Sequence, residues 1–207
     1  MTVPRGRHAP PLEVRLGVQR RRLLASAAAV FARRGYADAT AESIAREAGM
    51  SKATFYEHFS NKEEAILALF DAAAEVVAER MAEAVAATPD DPWRRVQAAL
   101  RAFLETIAEH PEASQTLLLE IVSAGPRATE RRDAIMERFA SGLDAENARA
   151  HERFGAPRFA SPEDAFAVAG AVVELASRQL RLGHPRDVPA LAPVIERLIL
   201  GLLRMTP

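Results

Sequence analysis

The segment from Ser51 to Phe59 interleaves two phenylalanines with basic and hydroxyl-bearing side chains. Phe55 and Phe59 are four residues apart, so they fall on one face of a helix. Five residues are expected to point away from the phenylalanine face, and packing in a hydrophobic core does not explain their side chains. These residues are Lys52, Ala53, Thr54, Tyr56 and His58. Ammonium, hydroxyl and imidazole groups on an exposed helix can bind phosphate oxygens and base edges, so the pattern predicts a helix that reads DNA.

Two short helices joined by a tight turn are expected to position that face. Ile44, Ala45 and Ala48 form an apolar stripe before the turn, and Gly49 follows where the chain must reverse. Ser51 precedes the second helix and can accept a backbone N–H bond at its start. This order of helix, glycine turn and exposed second helix is typical of a helix-turn-helix unit.

Longer helices are predicted on either side of this unit. The first covers about residues 14–34, and Gly35 ends it. The second is capped by Asn61 and reaches about Ala87. Lys62 lies at the start of this second helix, where the helix dipole opposes a cation, so we expect an anion to dock on the free N–H groups there.

The composition indicates an all-α protein without thiol chemistry. Hydrophobic residues make up 49% of the 207 residues, strong helix formers dominate, and no segment alternates with period two. Cysteine is absent, which excludes disulfides and thiolate metal sites. No apolar run reaches the length of a membrane span, so we expect a cytoplasmic protein with no membrane partner.

The net charge of −1 conceals an uneven distribution. Residues 1–62 contain eleven Lys or Arg against five Asp or Glu, a net charge of +6. Residues 63–207 contain sixteen against twenty-three, a net charge of −7. The basic third predicts a polyanion as its partner, and the acidic remainder suits self-association or the binding of a small ligand.

Prolines at helix starts divide the rest of the chain. Helices are expected at about residues 92–110, 111–124, 126–154 and 162–182, and a last one begins between 188 and 193 and ends near 205. With the earlier helices these make about nine. We therefore expect an all-α fold with an N-terminal three-helix helix-turn-helix DNA-binding domain, residues 13–62, and a C-terminal helical effector-binding and dimerisation domain, residues 63–207. The helix from residue 62 would link the two.

Residues 1–12 are expected to form a disordered basic tail. They contain three prolines, two arginines and almost no apolar surface to offset the entropy of ordering. Two interpretations stay open: a solvated leader with no role, or an arm that contacts phosphate or the minor groove.

A longer pattern runs through residues 20–68. It consists of Phe31, Gly35, Tyr36, Thr40, Ile44, Ala45, Ala48, Gly49, Ser51, Lys52, Thr54, Phe55, Tyr56, His58, Phe59, Lys62 and Glu63. This spacing resembles the TetR family of bacterial transcriptional regulators. The resemblance implies a homodimer that binds a palindromic operator in double-stranded DNA, usually represses transcription, and lets go when a small molecule enters the C-terminal domain. A regulator without an effector and an activator are the alternatives.

The resemblance also implies roles for individual residues. The expected DNA-binding set is Thr40, Ser51, Lys52, Ala53, Thr54, Tyr56, His58 and Lys62. In the family's pattern Thr54 and Tyr56 match contacts to base edges or backbone, Thr40, His58 and Lys62 match phosphate contacts, and Lys52 and Ala53 occupy positions that select the operator. Tyr56 and His58 could instead pack at a helix junction, and Arg20, Arg21 and Arg22 are either a solvated face or a phosphate clamp. Ala41 and Glu42 depart from relatives that place a hydroxyl and an arginine toward DNA.

A small apolar or amphipathic effector would need a pocket in the body. The candidates for its lining, each of which could also be plain core, are Met81, Trp93, Phe103, Gln115, Glu120, Met136, Phe139, Phe166, Glu174 and Arg178. An enzyme is the competing class, because Glu120 and Glu174 are acids within apolar stretches. Neither has an identifiable nucleophile, and no two histidines share metal-ligand spacing. We therefore assign no catalytic residue, cofactor or metal.

Two late helices carry more apolar surface than one inner face requires. The expected dimer interface consists of Phe166, Ala169, Gly170, Val173, Ala176, Leu180, Ile195, Leu198, Ile199 and Leu202, beside Leu191 on the same stripe. Two helices from each subunit would form a four-helix contact.

Overall fold

The computed structural model describes residues 11–204, and every regular element in that range is helical. The helices are α1 (Leu12–Asp38), α2 (Ala41–Glu47), α3 (Lys52–His58), α4 (Lys62–Ala86), α5 (Pro92–Glu109), α6 (Pro111–Leu118), α7 (Pro126–Phe154), α8 (Pro162–Arg181) and α9 (Ala192–Arg204). Short 3-10 segments, Glu120–Ser123 and Pro185–Leu191, follow α6 and precede α9. The expectation of an all-α chain with about nine helices is confirmed for this range. None of these helices is long and apolar enough to cross a membrane.

Helix α1 starts earlier and ends later than predicted, and it breaks at Gly35, the residue that was expected to end it. The expected tail, residues 1–12, lies outside the described residues except for Pro11 and Leu12, and Leu12 already belongs to α1. Gly35 interrupts the helix with φ of +74° and ψ of 164°, and a short turn continues to Asp38. That backbone conformation is almost confined to glycine, which explains why the interruption falls there.

Side-chain caps begin several helices where the sequence predicts them. Ser51 Oγ accepts the N–H of Thr54 at 3.0 Å, and Asn61 Oδ1 accepts the N–H of Glu64 at 2.9 Å. Proline occupies the first turn of α5, α6, α7 and α8. The predicted helix at residues 111–124 is shorter, because its last turn tightens into the 3-10 segment Glu120–Ser123, as helix ends often do.

One continuous core joins the N-terminal helices to the body. Phe31, Ile44 and Phe55 are fully buried among α1, α2 and α3, and Leu104 and Ile121 are fully buried in the body. Helix α1 packs against α4 and α6 as well as against α2. The helices that carry the predicted DNA-reading face are therefore seated on the body through α1 and α4.

Candidate functional site

Helix α3 presents the polar face that the sequence predicts. Its two phenylalanines, Phe55 and Phe59, are buried, with ring centroids 5.5 Å apart. On the other side Lys52 and Ala53 are exposed, and Tyr56 is 50% exposed. The buried rings thus fix the helix from beneath and leave a cation, a short side chain and a phenol open to a partner.

Hydroxyl groups mark the starts of α2 and α3. Thr40 Oγ1 accepts the N–H of Ser43, and Ser43 Oγ accepts the N–H of Thr40, each at 3.0 Å. At the start of α3 the oxygen of Ser51 lies 3.0 Å from the hydroxyl of Thr54. Thr40 and Ser51 are exposed, and Thr54 is half-buried. These contacts hold both helix starts in a defined geometry beside the exposed face.

His58 lies at a junction between α1 and α3. Its ring is half-buried, with Nε2 3.4 Å from Gln19 Oε1, and its carbonyl accepts a hydrogen bond from Arg20 Nη1 at 3.3 Å. The Arg20 guanidinium also stacks over the Phe59 ring at 4.6 Å. These two contacts of an exposed side chain fasten α1 to α3, and the choice between a solvated face and a phosphate clamp for Arg20 stays open.

Lys62 has partners within the chain rather than an awaiting anion. Its Nζ donates to the carbonyls of Tyr36, Ala37 and Ala39 at 2.8, 2.9 and 3.1 Å, and it lies 4.5 Å from the centre of the Tyr36 ring. An ammonium group has three protons, and these three carbonyls accept all of them. The expected anion contact of Lys62 is therefore corrected: the dipole of α4 opposes this cation, and the carbonyls at the end of α1 compensate for it.

Ala41 and Glu42, the two residues that depart from the family's pattern, lie at the start of α2, and the charged one has its partner in the same helix. Glu42 accepts a hydrogen bond from Arg46 Nη2 at 2.8 Å, one turn along the helix, and both side chains are exposed. Ala41 is half-buried.

A cavity of about 600 Å³ lies in the body between α4, α5, α7, α8 and α9. This volume falls in the range of about 300 to 1,000 Å³ that small-molecule sites occupy. Four of the ten predicted pocket residues line it, namely Met81, Phe103, Met136 and Phe139. The other apolar lining residues are Ala78, Ala82, Val85, Val96, Ala99, Leu100, Gly142, Leu143, Val168, Ala169, Val172, Val173, Ile195 and Ile199.

The other six predicted pocket residues lie elsewhere. Trp93 lines a second cavity of about 410 Å³. Gln115 Nε2 donates to the carbonyl of Ala32 at 3.0 Å, so it reaches α1 instead. Glu120 reaches α1 as well, where it accepts the N–H of Tyr36. The remaining three side chains are exposed because they project from the outer side of α8; they are Phe166, Glu174 and Arg178.

Sequence reasoning missed the charged residues of the larger cavity, which are Arg95, Arg138, Glu146 and Arg149. One signal could have identified the first of them. Arg95 stands four residues before Ala99 and eight before Phe103, so it occupies the apolar stripe of α5. A charge at such a position indicates a polar group facing a cavity or a buried partner.

Ion pairs fasten α7 to α4 along the side of the body. Arg127 bonds Glu64 at 2.8 Å, and Arg131 bonds Asp71 at 2.6 Å. The hydrogen bond that Arg127 donates to Glu64 raises the pKa of Arg127, and the one that Arg131 donates to Asp71 raises the pKa of Arg131. Because these guanidinium groups are exposed, the pairs set the register of the two helices more than they stabilise the fold.

The predicted dimer stripe divides into inner and outer residues. Ala176, Ile195 and Ile199 are buried in the chain's own core and cannot also contact a partner, which corrects that part of the expectation; Leu191 is buried likewise. Ala169, Gly170, Val173, Leu180 and Leu202 are half-buried. The outward apolar face consists of Phe166 on α8 and Val194, Leu198 and Gly201 on α9.

Known proteins resemble this chain in both sequence and fold. Residues 23–69 match the family described as bacterial regulatory proteins, tetR family. The HTH-type transcriptional activator FasR of Mycolicibacterium smegmatis is 34% identical over 63% of this chain and 64% of its own length. The HTH-type transcriptional regulator EthR of the same organism is 27% identical over 65% of this chain and 62% of its own length. The chain thus spans less than two thirds of either curated relative.

A solved structure extends the likeness to most of the chain. The regulator FadR from Bacillus subtilis, in complex with stearoyl-CoA, superposes with a TM-score of 0.76 and covers 87% of this chain and 97% of its own. At 17% identity this likeness shows a shared fold. The two sequence relatives are transcriptional regulators, not enzymes. The matched family segment, residues 23–69, spans α2, α3 and the buried residues that position them, and over this segment the chain matches the tetR family of bacterial regulatory proteins.

Proposed function

We propose that this protein is a homodimeric, sequence-specific DNA-binding repressor that a small-molecule effector releases from its operator. The observation that carries the proposal is the exposed face of α3, where Lys52, Ala53 and Tyr56 stand over the buried rings of Phe55 and Phe59. A rigid helix with this face fits the major groove of B-DNA.

The side chains of this face suit different parts of the duplex. Lys52 can reach guanine O6 and N7 or a phosphate, and the short Ala53 allows close approach to the base edges. The Tyr56 hydroxyl can bond backbone oxygens, and the exposed hydroxyls of Thr40 and Ser51 stand where they can add phosphate contacts. Thr54 and His58 are half-buried, so they would contact the DNA only at the edge of this face. In a dimer the two reading helices would sit roughly 34 to 36 Å apart, one turn of B-DNA.

Helix α4 supports a link between the cavity and the reading face. It begins at Lys62, which binds the end of α1, and nineteen residues later Met81 lines the cavity, about 28 Å along the helix axis. An effector that shifts α4 would also shift α1 and the spacing of the two reading helices. Such coupling is typically worth about 1 to 3 kcal/mol. The stearoyl-CoA complex of FadR supports a cavity of this fold as a place for an effector.

Fluorescence anisotropy with two duplexes tests the DNA-binding part of the proposal. One duplex carries the intergenic sequence upstream of the protein's own gene, and the other has the same composition in shuffled order. We expect at least about 1,000-fold tighter binding to the first at physiological salt. Equal affinity for the two duplexes would overturn specific recognition.

The second candidate function is transcriptional activation, because FasR, which is 34% identical to this chain over the matched region, is named as an activator. In vitro transcription from the bound promoter separates the two functions. A repressor lowers the amount of transcript when the protein is added, and an activator raises it.

A further inference from the structure

Arg95 is the residue of the cavity wall whose hydrogen bonding is incomplete. Its Nη1 lies 3.1 Å from Asp90 Oδ1 and 3.9 Å from Glu146 Oε1. Its Nε is buried and has no acceptor among residues 11–204. Burying a charged donor without an acceptor is costly, so the Arg95 guanidinium has hydrogen-bonding capacity that residues 11–204 do not use.

The charges around Arg95 do not balance. Asp90 also pairs with Arg153 at 2.5 Å, and Glu146 also pairs with Arg149. These five residues contain three arginines and two acids, a net charge of +1. The neighbouring Asp91 and Arg94 pair with each other at 3.8 Å and leave this balance unchanged. The excess positive charge favours an anion over a neutral or cationic ligand beside the cluster.

The cluster lies where two cavities meet. Arg95 and Arg149 line the larger cavity, Asp90 lines the smaller one, and Glu146 lines both. Val96, Leu143 and Ile199 are the other walls that the two cavities share. Most of the larger cavity's lining is aliphatic or aromatic. A ligand there would meet apolar surface over most of its length and a positive charge at one end.

We propose that the cavity binds an amphipathic anion, with an apolar chain in the larger cavity and a carboxylate or phosphate group that pairs with the Arg95 guanidinium. This inference rests on the proposed function, because it names the ligand class of the same cavity. Arg95 is the residue that selects for negative charge, and the apolar walls contribute affinity in proportion to the chain buried.

Isothermal titration calorimetry with four probes of one chain length tests the inference. The probes are decanoate, decyl phosphate, decanol and decylamine, each below its micelle concentration. We expect one or both anions to bind about 10- to 100-fold more tightly than decanol, as for a hydrogen bond to a charged group, and decylamine to bind weakest. The affinity of decanoate compared with that of decyl phosphate shows whether the cavity prefers a carboxylate or a phosphate.

Three variants assign the preference to Arg95. Arg95→Met should remove the difference between anion and decanol and leave decanol affinity unchanged, while Arg95→Lys should keep part of it. Arg101→Met, an exposed arginine on the same helix, is the matched control and should behave as the unmodified protein. Circular dichroism establishes that each variant is folded; if Arg95→Met is not, the probe series on the unmodified protein decides.

The outcomes separate this inference from the proposed function. If decanol binds as tightly as both anions, the charge selection is refuted and the effector cavity stands. If no probe binds, the inference is refuted together with the effector part of the proposal, and specific DNA binding still stands or falls by the anisotropy experiment. An anion preference that persists in Arg95→Met would refute the assignment of Arg95.

Discussion

Glu120 Oε2 accepts the backbone N–H of Tyr36 at 2.8 Å, across 84 residues of sequence. Tyr36 follows the break in α1 at Gly35, and Glu120 begins the 3-10 segment after α6. Beside this bond, Gln115 reaches the carbonyl of Ala32. Two side chains of the body therefore hold the end of α1, on which α2 and α3 rest.

Replacing Glu120 by alanine should loosen this junction. The Tyr36 N–H would lose its acceptor, and we expect the free energy of unfolding in urea to fall by about 1 to 3 kcal/mol. Amide hydrogen exchange at Tyr36 should become faster, while exchange in α5 stays unchanged. Glu105→Ala, at an exposed position of α5, serves as the control. Unchanged exchange at Tyr36 would contradict the assigned contact.

Gly35→Ala should destabilise the protein through backbone strain rather than a clash. A Cβ at this position would lie 3.6 Å from Glu120 Oε2, an ordinary contact, but the backbone angles there are nearly confined to glycine. We expect a loss of about 1 to 3 kcal/mol by urea unfolding. Gly17→Ala, inside α1, should instead stabilise by about 0.5 to 1 kcal/mol. A neutral Gly35→Ala would mean that the break in α1 is not required.

Lys62→Met should lower stability because three carbonyls at the end of α1 lose their donor. Methionine keeps the chain length and the helix propensity, so the change isolates the ammonium group. We expect the free energy of unfolding to fall by about 1 to 3 kcal/mol. Thermal unfolding followed by circular dichroism measures the loss. A variant as stable as the original would return Lys62 to the candidates for a free phosphate contact.

Lys52→Met should affect DNA binding and leave stability within about 0.5 kcal/mol, because the side chain is exposed. If Lys52 neutralises a phosphate, the slope of log affinity against log salt flattens by about one. If it reads a guanine, discrimination between operator variants falls at one base pair. Anisotropy titrations at several salt concentrations measure both. A variant with the original slope and specificity would exclude Lys52 from the interface.

Leu198→Asp should prevent the proposed dimerisation. Leu198 is exposed on α9 near Val194 and Gly201, and a carboxylate buried against a second apolar face is strongly unfavourable. We expect monomers by multi-angle light scattering with helical content retained. Val122→Asp, at an exposed apolar residue outside α8 and α9, should leave the assembly state unchanged. A dimer that persists in Leu198→Asp would place the interface on another surface.

Local features of the chain were predictable because they depend on neighbours in sequence. Ser51 and Asn61 cap helices as expected, since a cap needs only a backbone N–H three residues on. The burial of Phe55 and Phe59 follows from their spacing of one helical turn. The helix starts at proline follow from the missing N–H of that residue.

The partners of polar side chains were not predictable in the same way. Lys62 was expected to meet an anion, and Gln115 and Glu120 were expected to face a ligand, yet all three bind the backbone around the end of α1. Those acceptors and donors lie more than twenty residues away, and periodicity carries no information about them. The same holds for Arg95. Its position on the apolar stripe of α5 is unusual for a charged residue, but that position does not predict which residues contact it.

The amino-acid sequence by itself determined the helical class, the helix-turn-helix unit and the likeness of residues 20–68 to the TetR family, because those rest on local propensity, caps and motif spacing. The tertiary structure decided which residues enclose the cavity, how the body holds α1, and which side of α8 and α9 remains outward. Each of those outcomes depends on how separate helices pack. Packing is set by the whole set of contacts in the core, which no single segment of the chain contains.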